Sequence, residues 1–232
     1  MEKIVILTGA GISAESGLGT FRDEGGLWAQ HRIEDVATPE GFARNPQLVH
    51  DFYNARRAQA LEAKPNPAHD ALARLQREAK GEVVIVTQNV DGLHEAAGAT
   101  GVMHMHGALN AAFCAACEHR WDAPLAMAPD DRCPACQATA TRPDIVWFGE
   151  MPYDMEEIWQ HLEEADVFAA IGTSGQVYPA AAFGQHAGRA GAHTVELNLE
   201  PSVNSRDFAE ARHGSASEVV PLWVEEELSR QK

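Results

Sequence analysis

Residues 3–17, KIVILTGAGISAESG, run an unbroken apolar stretch into a glycine-rich turn. Ile4, Val5, Ile6 and Leu7 lack the polar alternation of a half-buried strand, so they read as a strand covered on both faces. Residues 83–86, 167–171 and 194–197 share that character. Helical patterns separate these runs. The clearest opens at Asn66-Pro67, a cap followed by proline at the first helical position, and turns Ala68, Ala71, Leu72 and Leu75 inward. Residues 178–189 and 217–228 also read as helices. Alternation of this kind predicts an α/β fold, a doubly wound parallel sheet with ligands at the carboxyl ends of its strands.

Two stretches interrupt the alternation. Residues 17–65 offer a loop and then helical patterns, with no convincing strand, and residues 107–142 are poor in regular periodicity. Both read as insertions that together build a smaller lobe. The expected division is a large domain from 1–18, 66–106 and 143–232. The small lobe then comprises 19–65, helical, and 107–142, which holds all four cysteines.

With 232 residues the chain can bury a sizeable core, and 45% hydrophobic and 22% charged residues are ordinary proportions. The formal net charge of -16 is not ordinary. It argues against nucleic-acid and anionic-membrane partners, because phosphate binding needs clustered Lys and Arg. It suits a basic partner such as a lysine-rich protein segment, although acidity alone also serves solubility. No run approaches the roughly 18 apolar residues of a membrane span, and the start shows no signal-peptide pattern. The expected location is the cytoplasm.

Beyond the first strand, Gly9, Gly11 and Ala14 satisfy the G-x-G-x-x-G/A spacing. Such glycines let a backbone approach a pyrophosphate while a helix N-terminus presents free N–H groups. A simple tight turn explains the same residues. Instead of a helix leading to a second strand and its acidic residue, as in a hydride-transferring dehydrogenase, Glu15 to Asp23 reads as a loop, suited to a flap over a cofactor.

Cys114-x2-Cys117 and Cys133-x2-Cys136 are separated by 15 residues. Two such knuckles can close a tetrahedron of thiolates around one structural Zn²⁺, with no open position for chemistry. Such a site contributes folding free energy to a lobe with little apolar core.

After 83–86 comes Thr87-Gln88-Asn89-Val90-Asp91-Gly92-Leu93-His94. Amides and a carboxylate at a buried strand end sit where a ligand is recognised, though turn chemistry also favours Asn and Asp. Residues 102–107 then alternate like a strand, with His104 and His106 on one face. Beside a glycine-rich cofactor loop, His106 is the better candidate for a base near neutral pH.

Taken together these segments resemble the sirtuins over nearly the whole chain. The matching segments, in order, are GAGISAESGLGTFRDEGGLW, TQNVDGLH, HMHGAL, the two C-x2-C pairs, RPDIVWFGE, GTSGQVYPA and ELNLE. The resemblance implies a Rossmann-like large domain, a small lobe of helical insertion plus zinc ribbon, and NAD as a consumed co-substrate. Carried over residue by residue, the NAD-binding loop runs from Gly9 to Trp28, with Ala10, Gly11, Phe21 and Arg22 at the cofactor. Gln88, Asn89 and Asp91 line the ribose and nicotinamide pocket. Gly172, Thr173 and Ser174 meet phosphates and ribose, Asn198 and Glu200 the adenosine ribose, and Ala216 the adenine. Val146, Trp147 and Phe148 line an acyl-lysine tunnel.

The implied reaction is NAD-dependent deacylation of protein lysine. The acyl-lysine amide oxygen attacks C1′ of the nicotinamide ribose, nicotinamide leaves, and His106 as general base takes a proton from a ribose hydroxyl. Lysine, nicotinamide and O-acyl-ADP-ribose result. Two residues depart from the family pattern: Asp23, where small residues are frequent, and Asp144, where RPH is frequent. Both add negative charge near the expected site.

Within 17–65 stands Phe52-Tyr53-Asn54-Ala55-Arg56-Arg57. Tyr53 and Arg56, at i and i+3, share a helix face, and a phenol with a guanidinium can bind a carboxylate. A solvated helix face explains the pattern as well. The position resembles the Tyr-x-x-Arg pair of class III sirtuins, which remove succinyl and malonyl groups. Ala37 and Ala58 suit a roomy acyl pocket. The competing functions are mono-ADP-ribosyl transfer and NAD sensing without catalysis, with a redox enzyme behind them.

Overall fold

Strand β1 (Lys3–Thr8) is buried along its whole length, and its alternating side chains divide between two cores. Ile4 and Ile6 pack with Leu72, Leu75 and Trp223 on one face of the sheet, while Val5 and Leu7 pack with Ile158, Leu162 and Phe183 on the other. A strand covered on both faces in this way is the signature of a parallel sheet flanked by helices. The computed structural model describes residues 2–19 and 30–231.

After β1 the chain forms α1 (Gly11–Ala14), α2 (Ile33–Val36), α3 (Pro39–Arg44), α4 (Pro46–Glu62) and α5 (Pro67–Glu78). Next come β2 (Glu82–Thr87), α6 (Leu93–Ala96), β3 (Met103–His104), β4 (Gly107–Cys114), β5 (Arg120–Asp122) and β6 (Thr141–Ile145). The last third holds α7 (Met155–Glu163), β7 (Val167–Ile171), α8 (Phe183–Ala190), β8 (His193–Asn198), β9 (Glu210–His213) and α9 (Ala216–Arg230).

Six strands form one parallel sheet in the order β3-β2-β1-β7-β8-β9. This is the doubly wound order, and its switch point lies between β1 and β7, where sheets of this order bind ligands at their carboxyl ends. The predicted α/β class holds. α5 begins as expected: Asn66 caps the Ala68 N–H, His69 returns the cap, and Ala68, Ala71, Leu72 and Leu75 are buried. The helix expected over 178–189 starts later, with a 3-10 turn at Ala180–Ala182 leading into α8. Of residues 102–107 only Met103–His104 join the parallel sheet; Met105 and His106 form a turn, and Gly107 opens β4.

A second, antiparallel sheet has the order β5-β4-β6. Its eight-residue strand β4 lies in 107–142, the stretch without legible periodicity. Strand β6 runs across position 142 and pairs with β4. A third apolar cluster joins this sheet to the helical insertion through Val36, Ala37, Val49, Phe52, Tyr53, Leu109, Ile145 and Trp147. Among the described residues no helix is long and apolar enough to cross a membrane.

Candidate active site

At the switch point the glycines answer to backbone contact. The Gly9 N–H donates to the Ile171 carbonyl at 3.0 Å and the Gly11 N–H to the Gly172 carbonyl at 2.9 Å. A Cβ on Gly9 would stand 2.8 Å from the Gly172 oxygen, and one on Gly11 would stand 2.7 Å from the Gly172 Cα. Gly172 itself sits at φ +63°. The two strand ends therefore touch, and Gly9, Ala10, Gly11, Gly172, Thr173 and Ser174 form one rim. Asn198, at the end of β8, extends it by donating to the Thr173 carbonyl at 2.7 Å. Glu200 is exposed just beyond, and Ala216 opens α9. Phe21, Arg22, Trp28 and Asp23 lie outside the described residues.

Beneath the rim is a buried polar network. Asn89 donates from Nδ2 to the Gly9 carbonyl and to Ser13 Oγ, each at 3.1 Å. Ser13 Oγ donates to Asp91 Oδ2 at 3.0 Å, and Asp91 Oδ1 accepts the Leu93 N–H. The second strand end is thus locked to the glycine loop through side chains, which explains why polar residues follow an apolar strand there. His94 Nε2 lies 2.9 Å from Thr8 Oγ1, which also donates to Thr87. Burial, reinforced by the neighbouring His69, pushes His94 down to about 3, so it is neutral at ordinary pH. Ser13, His69 and His94 had no assigned role in the sequence reading. The available signal was a set of polar residues directly after or facing the glycine motif.

The two histidines of the 102–107 segment diverge. His104 lies 2.8 Å from Glu95 Oε1. Burial opposes its charge, but the Glu95 carboxylate outweighs burial and raises its pKa above the usual imidazole value. Among the described residues no carboxylate pairs with His106; burial lowers its pKa against a 3.2 Å contact from Nδ1 to the Gln88 carbonyl. The His106 carbonyl in turn accepts the Val146 N–H at 2.9 Å. His106 therefore bridges the Gln88–Asp91 loop and the Val146-Trp147-Phe148 segment.

That segment meets α4. Trp147 is buried, Phe148 is exposed, and the Phe148 N–H donates to the Ala37 carbonyl at 3.0 Å. Tyr53 is 1% exposed. Burial, partly offset by Arg56, pushes its phenol up to about 12. The Arg56 guanidinium lies 6.0 Å from the Tyr53 ring centroid and within electrostatic reach of Asp91. Tyr53 and Arg56 thus come together beside the loop carrying Asp91, and Ala58 is exposed on α4.

The expected charge of Asp144 is compensated. Its carboxylate is buried in β6, accepting from Arg120 Nε at 3.0 Å and from the Tyr153 hydroxyl at 2.7 Å. It adds no uncompensated negative charge.

The four cysteines are reduced and gathered, their sulfurs all within 4.8 Å of one another. The Cys114–Cys136 and Cys117–Cys133 sulfur pairs are each 3.7 Å apart. A tetrahedron with Zn–S bonds of about 2.3 Å has edges of about 3.8 Å, so the donor set fits zinc. Each knuckle closes alike, with Glu118 and Gln137 at positive φ directly after the second cysteine. Their N–H groups donate to the carbonyls of Cys114 and Cys133 at 2.8 and 2.9 Å.

Fold and site together define a nucleotide-binding α/β protein carrying a thiolate metal ribbon. The Sir2 family model matches residues 9–179, and the chain belongs to the Sir2 family. It is 53% identical to a Caulobacter vibrioides protein named NAD-dependent protein deacylase, over 98% of both chains. It is 55% identical to an Escherichia coli K12 protein of the same name, covering all of this chain and 85% of that one. A solved Sir2 homologue in complex with NAD superposes with a TM-score of 0.91 at 36% identity, over 99% of this chain and 91% of the other.

Proposed function

We propose that this chain removes acyl groups from lysine side chains of proteins while consuming NAD, and that it takes succinyl and malonyl as well as acetyl groups. The observation that carries the reaction is the placement of His106 between the Gln88–Asp91 loop and Val146. With Nδ1–H donating to the Gln88 carbonyl, Nε2 keeps its lone pair, the tautomer a base needs. Its pKa, lowered by burial, keeps it neutral and ready to accept a proton near pH 7.

The glycine rim and Asn198 would hold the phosphates and adenosine ribose, with Gln88, Asn89 and Asp91 at the nicotinamide end. NAD supplies an activated ribose carbon and a leaving group. The chain's task is to align the acyl oxygen with that carbon, exclude water, and accept the ribose hydroxyl proton on His106. Val146, Trp147 and Phe148 would line the lysine tunnel, and Tyr53 and Arg56 its far end, where a carboxylate would be read. Cys114, Cys117, Cys133 and Cys136 would hold one structural zinc away from the chemistry. The two-lobe division, with 19–65 and 107–142 as the small lobe, belongs to the same proposal. So does a cytoplasmic location, since free thiolate ligands suit a reducing compartment.

The test is incubation with NAD and one peptide carrying either acetyl- or succinyl-lysine, with products followed by mass. Free lysine, nicotinamide and O-acyl-ADP-ribose are expected from both. ADP-ribose attached to protein, or NAD binding without nicotinamide release, would refute deacylation.

A further inference from the structure

Arg57, beside the proposed acyl-reading pair, is a buried arginine with no carboxylate partner among the described residues. Its residue is 4% exposed, and burial lowers its pKa. A guanidinium in such a place must find acceptors for its fork of donors. Here Nε donates to the Leu109 carbonyl at 2.7 Å, and Nη1 donates to Asn54 Oδ1 at 2.9 Å and to the Leu125 carbonyl at 3.3 Å. Asn54, one helical turn earlier, makes a reciprocal pair with Met127: Nδ2 to the carbonyl and the Met127 N–H to Oδ1, both at 2.9 Å.

These contacts join three parts of the molecule. Leu125 and Met127 belong to the stretch between the two cysteine pairs. Leu109 lies in β4, and its N–H donates to the Val90 carbonyl at 2.7 Å, inside the Gln88–Asp91 loop. Tyr53 stands one turn before Arg57 on α4, and Arg56 is its immediate neighbour. Arg57 thus ties the helix carrying Tyr53 and Arg56 to the cofactor-side loop and to the cysteine ribbon at once.

We propose that Arg57, with Asn54, is a positioning residue that sets the distance between the Tyr53–Arg56 pair and the reacting centre, and so determines how well a carboxylate-tipped acyl group is accepted. The inference rests on the reading of Tyr53 and Arg56 as carboxylate ligands. An acetyl group ends short of that pair and does not sense its position. A succinyl group must satisfy both ends at once, and misalignment of about 1 Å costs on the order of a hundredfold where groups must meet in register.

The test compares Arg57→Met, Arg57→Lys, Asn54→Ala and Arg56→Met on one peptide carrying acetyl or succinyl, with zinc content and hydrogen exchange of the Met127 amide measured alongside. Arg57→Met is expected to raise the succinyl KM about tenfold, the loss of roughly one charge-assisted hydrogen bond. Acetyl turnover and zinc content stay close to those of the parent. Arg57→Lys, which can reach one carbonyl instead of three acceptors, should fall between. Asn54→Ala should speed exchange at Met127, lower succinyl preference more mildly, and decide the matter if Arg57→Met does not fold. Equal losses on both acyl groups, or unchanged preference once Met127 exchange has quickened, overturn the proposal. If Arg56→Met keeps the succinyl preference, the carboxylate reading fails and the role of Arg57 fails with it. If Arg56→Met loses that preference while the Arg57 and Asn54 variants keep it, only the role of Arg57 is refuted.

Discussion

The indole N–H of Trp147 donates to the phenol oxygen of Tyr53 at 3.1 Å, and both side chains are buried. A phenol that accepts from one neighbour still has its own proton to give. With its pKa pushed up to about 12 by burial, Tyr53 keeps that proton at any physiological pH. It can therefore donate to an incoming carboxylate while Trp147 fixes its direction.

Tyr53→Phe removes the donor and strands the indole. The lost neutral donor is worth about 1 kcal/mol, or roughly fivefold in succinyl-lysine kcat/KM. The buried indole N–H left without an acceptor costs about 1–3 kcal/mol of stability. A lowered Tm together with a selective succinyl loss is expected. A lowered Tm with equal loss on acetyl and succinyl would give Tyr53 a packing role alone.

Arg56→Met should act more steeply on selectivity. A carboxylate that loses a charge-assisted partner gives up roughly 1.5–3 kcal/mol, so succinyl-lysine kcat/KM should drop about 10- to 100-fold, chiefly through KM. Acetyl-lysine has no distal carboxylate and should turn over at close to the parent rate. Kinetics on matched peptides decide it, and parallel losses would refute acyl reading by Arg56.

Cys133 is a fully buried member of the sulfur cluster. Cys133→Ala leaves three thiols and an incomplete tetrahedron, so one equivalent of zinc should be lost. Because metal binding and folding are linked in such ribbons, the small lobe should lose several kcal/mol of stability. Metal analysis and thermal melting check this. A zinc-free parent protein with full stability would remove the metal from the account.

What the sequence made legible follows from range. Strand runs at 4–7, 83–86, 167–171 and 194–197 stand out because burial on both faces removes polar residues from consecutive positions. The cysteine spacing is equally local. Strand β4 escaped notice because its residues, GALNAAFC, are mostly small and show no apolar–polar alternation, and its partner β6 lies beyond the second cysteine pair. Asp144 read as added charge because its compensation by Arg120 and Tyr153 is set by folding, not by any local pattern. No local pattern singles out Arg57, since only the fold brings the Leu109 and Leu125 carbonyls to it.

The final prediction concerns pH. His106 has a lowered pKa because of burial, and His104 a raised one because the Glu95 carboxylate outweighs burial. If His106 is the base, the active form is its neutral form, so kcat/KM should fall as pH drops. The midpoint of that limb should lie below the ordinary imidazole value of about 6.5. A limb centred above that value would point to His104 instead. Stability should move in the same direction. A group whose folded pKa is depressed binds fewer protons folded than unfolded, so stability is present above the unfolded pKa and is lost as pH falls through the folded one. His94, pushed down to about 3, contributes most over the window from about 6.5 downward. His106→Ala should keep the fold and NAD binding but lose deacylation by at least the 10²–10⁴-fold typical of a general base, roughly. Turnover near the parent rate in that variant would take the base assignment away from His106.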